Sequence, residues 1–156
     1  MLAAGDVIEG EVRTVAVFGV FCRCGEQEVL VRIPETSWVA SFCSCEQFAE
    51  PGDRLTVKII HVDERTGKIA ASIKALFPDP WTSGELAAGT EHLARVVRYV
   101  EKADRCVDRP GYLIEMVPGA YAMLCANGVS FKVGQRVSVV IRDSDFSSRA
   151  VRVTCK

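Results

Sequence analysis

Apolar residues recur at every second position in short runs, and glycine, proline or charged turn residues break the runs at intervals. Val7 to Val17 alternates loosely and is punctuated by Phe18-Gly19. Val20 to Arg23 and Val29 to Ile33 follow, with Gly25-Glu26-Gln27-Glu28 between them as a hairpin turn. Leu55 to Val62 alternates cleanly: Leu55, Val57, Ile59 and, at the end of the run, His61 face one way, and Thr56 and Lys58 the other. The polar turn Asp63-Glu64-Arg65-Thr66-Gly67-Lys68 leads into Ile69 to Ile73. Alternation with period two, bounded by turn residues, is the mark of half-buried strands, so the first half predicts five of them. Thr36 to Pro51 is the one long connection, with a short helical turn expected near Cys45 to Phe48.

Phe77-Pro78-Asp79-Pro80-Trp81 ends this series. Two prolines around Asp79 cannot continue a central strand, so the segment reads as a stiff connector. Trp81 is expected to fold back on one unit or to wedge between two. A second series of runs follows: Leu93 to Val100, Tyr112 to Met116, Ala120 to Cys125, Val137 to Arg142 and Ala150 to Thr154. Gly134-Gln135-Arg136 precedes its fourth run as Gly52-Asp53-Arg54 does in the first series. The repeated order predicts a tandem of one all-β unit, with boundaries at 1–76, a connector at 77–87 and a second unit at 88–156.

Composition sharpens this picture. With 156 residues, 49% of them apolar, the chain has enough material for two small packed cores. No apolar stretch is long enough to span a bilayer, and the start, Met1-Leu2-Ala3-Ala4-Gly5-Asp6, has no basic segment followed by an apolar one. A cytoplasmic protein with no membrane partner is the expectation. Seven cysteines, an odd number at spacings unlike a disulfide framework, fit reduced and mostly buried thiols. Cys22-x-Cys24 and Cys43-x-Cys45 have one residue between the sulfurs, where structural zinc sites use two to four, so no metal is expected. Cys22 and Cys24 instead alternate with Phe21 and Arg23 as two inward positions of a strand. Charge divides unevenly. Up to Trp81 there are 8 Lys and Arg against 12 Asp and Glu, a balance of −4; beyond it there are 11 against 8, or +3.

The chemistry of catalysis is missing from the pattern. His61 and His92 have no metal-ligand partner at helical or hairpin spacing. Thr66-Gly67-Lys68 lacks the first glycine and the following helix of a phosphate-binding loop. The carboxylates are scattered at turns. Neither an enzyme, a cofactor nor a small-molecule substrate is expected.

The first half resembles the S1 RNA-binding domain, a five-stranded oligonucleotide-binding (OB) fold barrel, from Gly5 to Lys74. The resemblance is carried by Gly5-Asp6-Val7-Ile8-Glu9-Gly10-Glu11-Val12, Phe18-Gly19-Val20-Phe21, Leu30-Val31-Arg32-Ile33-Pro34-Glu35 and Ser37-Trp38. Gly52-Asp53-Arg54-Leu55, Val62 through Ile69, and Ser72-Ile73-Lys74 complete it, and the Pro78-Asp79-Pro80-Trp81 tail resembles the connector between repeats in ribosomal members. The implied architecture is all-β: two tandem five-stranded OB-fold barrels joined by a short Pro-rich connector, the second a degenerate copy. There Pro110-Gly111-Tyr112-Leu113 stands at the aromatic platform, and Ala122-Met123-Leu124-Cys125 replaces the Leu30 to Arg32 run without a cation.

A barrel this small fills its interior with side chains, so a ligand must lie on the outer face. Periodicity alone would bury paired phenylalanines; the resemblance implies that Phe18 and Phe21 face outward and stack bases, with Gly19 leaving room for them to approach. Arg32 stands where the family has a histidine, and arginine both stacks and reaches phosphate. Asp63 and Lys68 match the family's acidic and basic residues of the last hairpin. Arg23 and Lys58 are further candidates on outward strand positions. Trp38 is expected to pack the long connection. The partner implied is single-stranded RNA bound with little sequence preference, in a ribosomal, transcriptional or RNA-decay setting. Arg95, Arg98, Arg149 and Arg152 leave the second unit only charge with which to touch it. The alternative is a protein-interaction module that keeps the barrel and has lost RNA, which the −4 of the first half favours.

Overall fold

A computed structural model describes residues 2–40, 45–101, 110–126 and 128–156, and divides into two compact units. Regular structure among the described residues consists of strands and short 3₁₀ turns. No helix among them is long and apolar enough to cross a membrane.

The first unit comprises Met1–Thr36 and Ser44–Pro78. Its strands are β1 (Val7–Val15), β2 (Gly19–Cys24), β3 (Gln27–Arg32), β4 (Arg54–Val62) and β5 (Ile69–Ser72). They close into a barrel in the order β1-β2-β3-β5-β4, with β3 and β5 parallel and every other pair antiparallel. Closure leaves no free edge. The interior is filled by Val12, Val20, Cys22, Val29, Val31, Val57, Ile59 and Ala71, each at most 1% exposed. Each buried valine or isoleucine contributes about 1.5–3 kcal/mol relative to exposure. The turn expected within the long connection is a 3₁₀ turn at Cys45–Gln47.

Cys22 and Cys24 point inward, as their alternation requires. Burial, and secondarily the neighbouring Cys24, pushes the Cys22 thiol up to about 12. Burial alone pushes Cys45 up to about 12. Both remain protonated thiols at neutral pH and are poor nucleophiles. Cys43, which pairs with Cys45 in the second Cys-x-Cys spacing, lies outside the described residues.

Two register shifts matter for the outer surface. One falls between Val12 and Thr14 on β1, the other between Ile59 and His61 on β4. The second corrects the sequence expectation for His61. The extra residue reverses the alternation, so Ile59 is fully buried while Ile60 and His61 are both exposed.

The second unit comprises Ser37–Cys43 and Asp79–Lys156. Its strands are β6 (Glu91–Val100), β7 (Gly111–Val117), β8 (Ala120–Cys125), β9 (Arg136–Asp145) and β10 (Ala150–Cys155), in the order β10-β9-β6-β7-β8. This is the connectivity of the first unit with the β8–β10 pairing left open, so the sheet is barrel-like rather than closed. Leu86, Val96, Ile114, Leu124, Val139 and Ile141 form its core together with Val39. Trp38 and Trp81 are partly buried against that core, and the Trp81 Nε1 donates to the Trp38 carbonyl at 2.6 Å. The strip carrying Trp38 is held by backbone bonds, from Trp38 N to the Gly119 carbonyl at 2.9 Å and from Ala40 N to the Arg149 carbonyl at 2.8 Å. Trp38 therefore packs with the second unit rather than filling the connection it belongs to.

Candidate nucleic-acid interface

The outer face of the first barrel is assembled by register. Thr14 lies opposite Phe21, Phe21 opposite Leu30, Leu30 opposite Ala70, and Ala70 opposite His61, one outward row crossing all five strands. Directly opposed side chains on one face stand about 4.5–5.5 Å apart at Cβ, so this row is continuous. Phe18 sits just before β2, in a turn closed by Ala16 N donating to the Gly19 carbonyl at 2.9 Å. The turn turns its ring out of the barrel: Phe18 is 55% exposed, and Phe21 half-buried beside it. The two rings meet edge to face, centroids 6.0 Å apart at 89°.

Gly19 has a different part from the one its flanking phenylalanines imply. It is buried, and a Cβ there would lie 2.7 Å from Leu30 Cδ1 and 2.9 Å from the Val31 carbonyl oxygen. The missing side chain gives room to β3, not to an approaching base.

Arg32 ends β3 opposite Gly19, fully on the surface. Lys68 is presented by a turn that Asp63 organises. The Asp63 Oδ1 accepts the backbone N–H of Arg65 at 2.9 Å and of Thr66 at 3.4 Å. Asp63 N donates to the Lys68 carbonyl at 2.8 Å, and Gly67 N to the Asp63 carbonyl at 2.7 Å. Gly67 adopts φ 74°, a conformation open to glycine. The Arg65 backbone N–H and then the Thr66 hydroxyl hold the Asp63 carboxyl below the ordinary carboxylate range. Neither Arg32 nor Lys68 has a carboxylate within salt-bridge distance among the described residues, so both charges are open to a ligand.

Phe18, Phe21, Arg32, Asp63 and Lys68 together line one open groove of about 670 Å³, with Leu30 and Ala70 as its floor. His61 lines it too. Alternation had turned this residue inward, and only the β4 bulge brings it to the wall opposite Phe21. The groove also contains Glu28, so cations and carboxylates are nearly balanced within it. Arg23 and Lys58 stand outside. Arg23 is exposed at the β2–β3 hairpin and its Nε donates to the Gly25 carbonyl at 3.3 Å; Lys58 is half-buried on β4 between Val7 and Ser72.

The second unit carries the same frame with altered side chains. A Cβ on Gly111 would lie 2.6 Å from the Leu124 carbonyl oxygen, as one on Gly19 would lie 2.9 Å from that of Val31. Pro110, Leu113 and Cys125 consequently take the places of Phe18, Phe21 and Arg32, and Leu113 is fully buried. The Asp63 turn recurs at Asp145, whose Oδ1 accepts Ser147 N at 3.1 Å, with Arg149 at φ 57° where the first unit has Gly67. Of the four arginines expected to supply charge, Arg95 pairs with Glu115 at 2.9 Å and Arg152 with Asp143 at 2.6 Å. Arg149 lies over the Trp38 and Phe146 rings at 5.6 and 5.8 Å, and Arg98 is half-buried. A phosphate would have to compete with these contacts, so a freely available band of positive charge is not what the second unit offers.

Residues 2–74 match the family described as the S1 RNA binding domain. Over 165 residues and 99% of its length the chain is 27% identical to the small ribosomal subunit protein bS1 of Streptococcus pneumoniae, of which it covers 40%. It is also 28% identical to a 4-hydroxy-3-methylbut-2-enyl diphosphate reductase of Clostridium tetani, covering 25% of that protein. Among solved structures, GSP13 of Bacillus subtilis is 32% identical over 49% of this chain and 58% of its own, with a TM-score of 0.43. The chain thus spans about two fifths of the length of the streptococcal relative.

Proposed function

Residues 2–74 of this chain belong to the S1 RNA-binding domain family, and from that premise we propose that the first barrel binds single-stranded RNA in the groove between Phe18 and Lys68. The observation that carries this reading is the convergence of two aromatic rings and two free cations on one outward face. Phe18 and Phe21 stack bases, and their faces accept any base, so sequence preference is low. Arg32 and Lys68 neutralise phosphate. His61 adds a planar, polar ring on the opposite wall, where the imidazole stacks or hydrogen-bonds. Asp63 acts chiefly by holding the turn that aims Lys68. The chain is a binding protein rather than an enzyme, and the relatives named as ribosomal proteins make a ribosome-associated, cytoplasmic setting the first to examine.

Few cations are engaged, so the salt dependence is shallow. The logarithm of the binding constant for an unstructured RNA falls with log salt by about 0.7 per phosphate neutralised, or about 1.4 for Arg32 and Lys68 together. Fluorescence anisotropy in rising salt measures this slope, and the double variant Arg32→Ala/Lys68→Ala flattens it by that amount. No binding at low salt would overturn the reading in favour of a protein-docking barrel.

Asp63 yields a separate test. Asparagine presents an amide oxygen to the same N–H groups, so Asp63→Asn keeps the turn and the affinity. Asp63→Ala loses those bonds, loosens Lys68 and lowers affinity about two- to tenfold. Equal losses in both variants would mean that the carboxylate contacts RNA itself. Because the carboxyl is held low in the folded state, its contribution is intact above roughly pH 4. It is lost only as acidification passes through the lowered value.

A further inference from the structure

We infer that His61 makes RNA binding in the first barrel's groove proton-linked, its imidazole supplying the net positive charge that a phosphate backbone needs. The inference rests on the RNA reading of this groove and adds to it what governs its strength.

The other charges of the groove cancel. Among the described residues, β3 contributes Glu28 and Arg32, and the turn after β4 contributes Asp63 and Lys68. β2 and β5 bring uncharged side chains, Phe21 from the first and Ile69 and Ala70 from the second. Glu64 and Arg65, at the tip of the same turn, are exposed, do not line the groove and offset each other. Two carboxylates thus stand against two cations at neutral pH, and a polyanion gains nothing from their sum. His61 is the remaining ionisable group of the wall. With a neutral ring the groove is neutral; with an imidazolium it carries one positive charge.

Geometry puts that charge in the path of a bound strand. The β4 bulge leaves His61 exposed and sets it opposite Ala70, which lies opposite Leu30 on the groove floor. Phe21 lies opposite Leu30 on the other side. Three strand spacings therefore separate Phe21 from His61, about 14 Å or less, so a short strand stacked on the aromatic pair extends to the imidazole. The ring also acts on the neighbouring turn. The Arg65 backbone N–H does most to hold the Asp63 carboxyl low, and the His61 charge adds to it.

Few groups can supply such a response. The sequence has two histidines. His92, on β6 in the second unit, has its Nε2 3.1 Å from the Thr90 hydroxyl. Among side chains, an imidazole is the one that ordinarily changes charge between about pH 5 and 8. Asp63, held low, stays ionised over that range, and the Cys22 and Cys45 thiols, pushed up to about 12, stay neutral. Bound phosphates favour the charged ring, so binding takes up a proton and affinity rises as pH falls.

The test titrates the full chain against a labelled oligouridylate, whose bases and backbone keep their charge here, at about pH 7.5 and about pH 5.5 in rising salt. Affinity is expected to be about threefold to tenfold higher at the lower pH. The salt slope should rise from about 1.4 to about 2.1 as a third cation engages phosphate. His61→Gln should make affinity and slope independent of pH. His61→Lys, charged throughout, should hold the slope near about 2.1 at both values. His92→Gln should retain the full response. A response that survives His61→Gln, or an unaltered chain that binds RNA equally at both pH values, would overturn this inference and leave the first barrel's reading intact. A chain that binds no RNA at either pH overturns both.

Discussion

Replacing Phe18 and Phe21 together by alanine is expected to lower affinity for a short unstructured RNA by about thirtyfold or more, with the barrel still folded. The binding loss follows from stacking, which contributes about 1–3 kcal/mol per base, so two platforms give about 2–6 kcal/mol. Each 1.4 kcal/mol is about tenfold in affinity. The cost to stability is smaller. Phe18 is 55% exposed, and its edge-to-face contact with Phe21 is a surface pair whose loss costs about 0.5–1.5 kcal/mol. The core residues on the inner face of the same strands, Val20 and Cys22, are not altered. Anisotropy titration and thermal unfolding, run on the same sample, separate the two quantities. Unchanged RNA affinity would remove the platform from the groove and leave only its cations.

The second large effect is on stability and comes from Gly19→Ala. The new Cβ would meet Leu30 Cδ1 at 2.7 Å and the Val31 carbonyl oxygen at 2.9 Å, and only the first can move easily. Overpacking of this kind costs about 1–3 kcal/mol. In a unit of this size that lowers the unfolding midpoint by roughly 5–20 °C, read by scanning calorimetry. Had the glycine served to admit a base, the substitution would lower affinity and leave the midpoint where it was. That outcome would reverse the assignment made from the packing. Gly111→Ala, with the Leu124 carbonyl oxygen at 2.6 Å, is expected to behave alike in the second unit.

Much of the fold was legible along the chain because alternation with period two reports directly on which side of a strand is buried. Val20, Cys22, Val29, Val31 and Val57 all follow it, and the strand positions of both series emerge from it. The groove residues Phe18, Phe21, Arg32, Asp63 and Lys68 were legible only through the resemblance to the S1 domain, because periodicity alone would have buried the paired phenylalanines. His61 was not. A bulge is an insertion into a register, and the residues around it look no different from an unbroken alternating run. Arg23 and Lys58 obey the outward alternation yet miss the groove, because alternation gives the side of the sheet and not the distance along it.

The sequence by itself determined the all-β class, the five strands of each series and the inward cysteines. These depend on local pattern or short-range spacing. The tertiary structure alone decided the rest, because each remaining feature depends on strands far apart in the chain. It set Gly19 against Leu30 and Val31, and brought His61 to the groove wall across β5. It left β8 and β10 unpaired in the second unit, and it gave the Trp38 strip to that unit's core. It also set the exposed Tyr99 ring against the buried Tyr112.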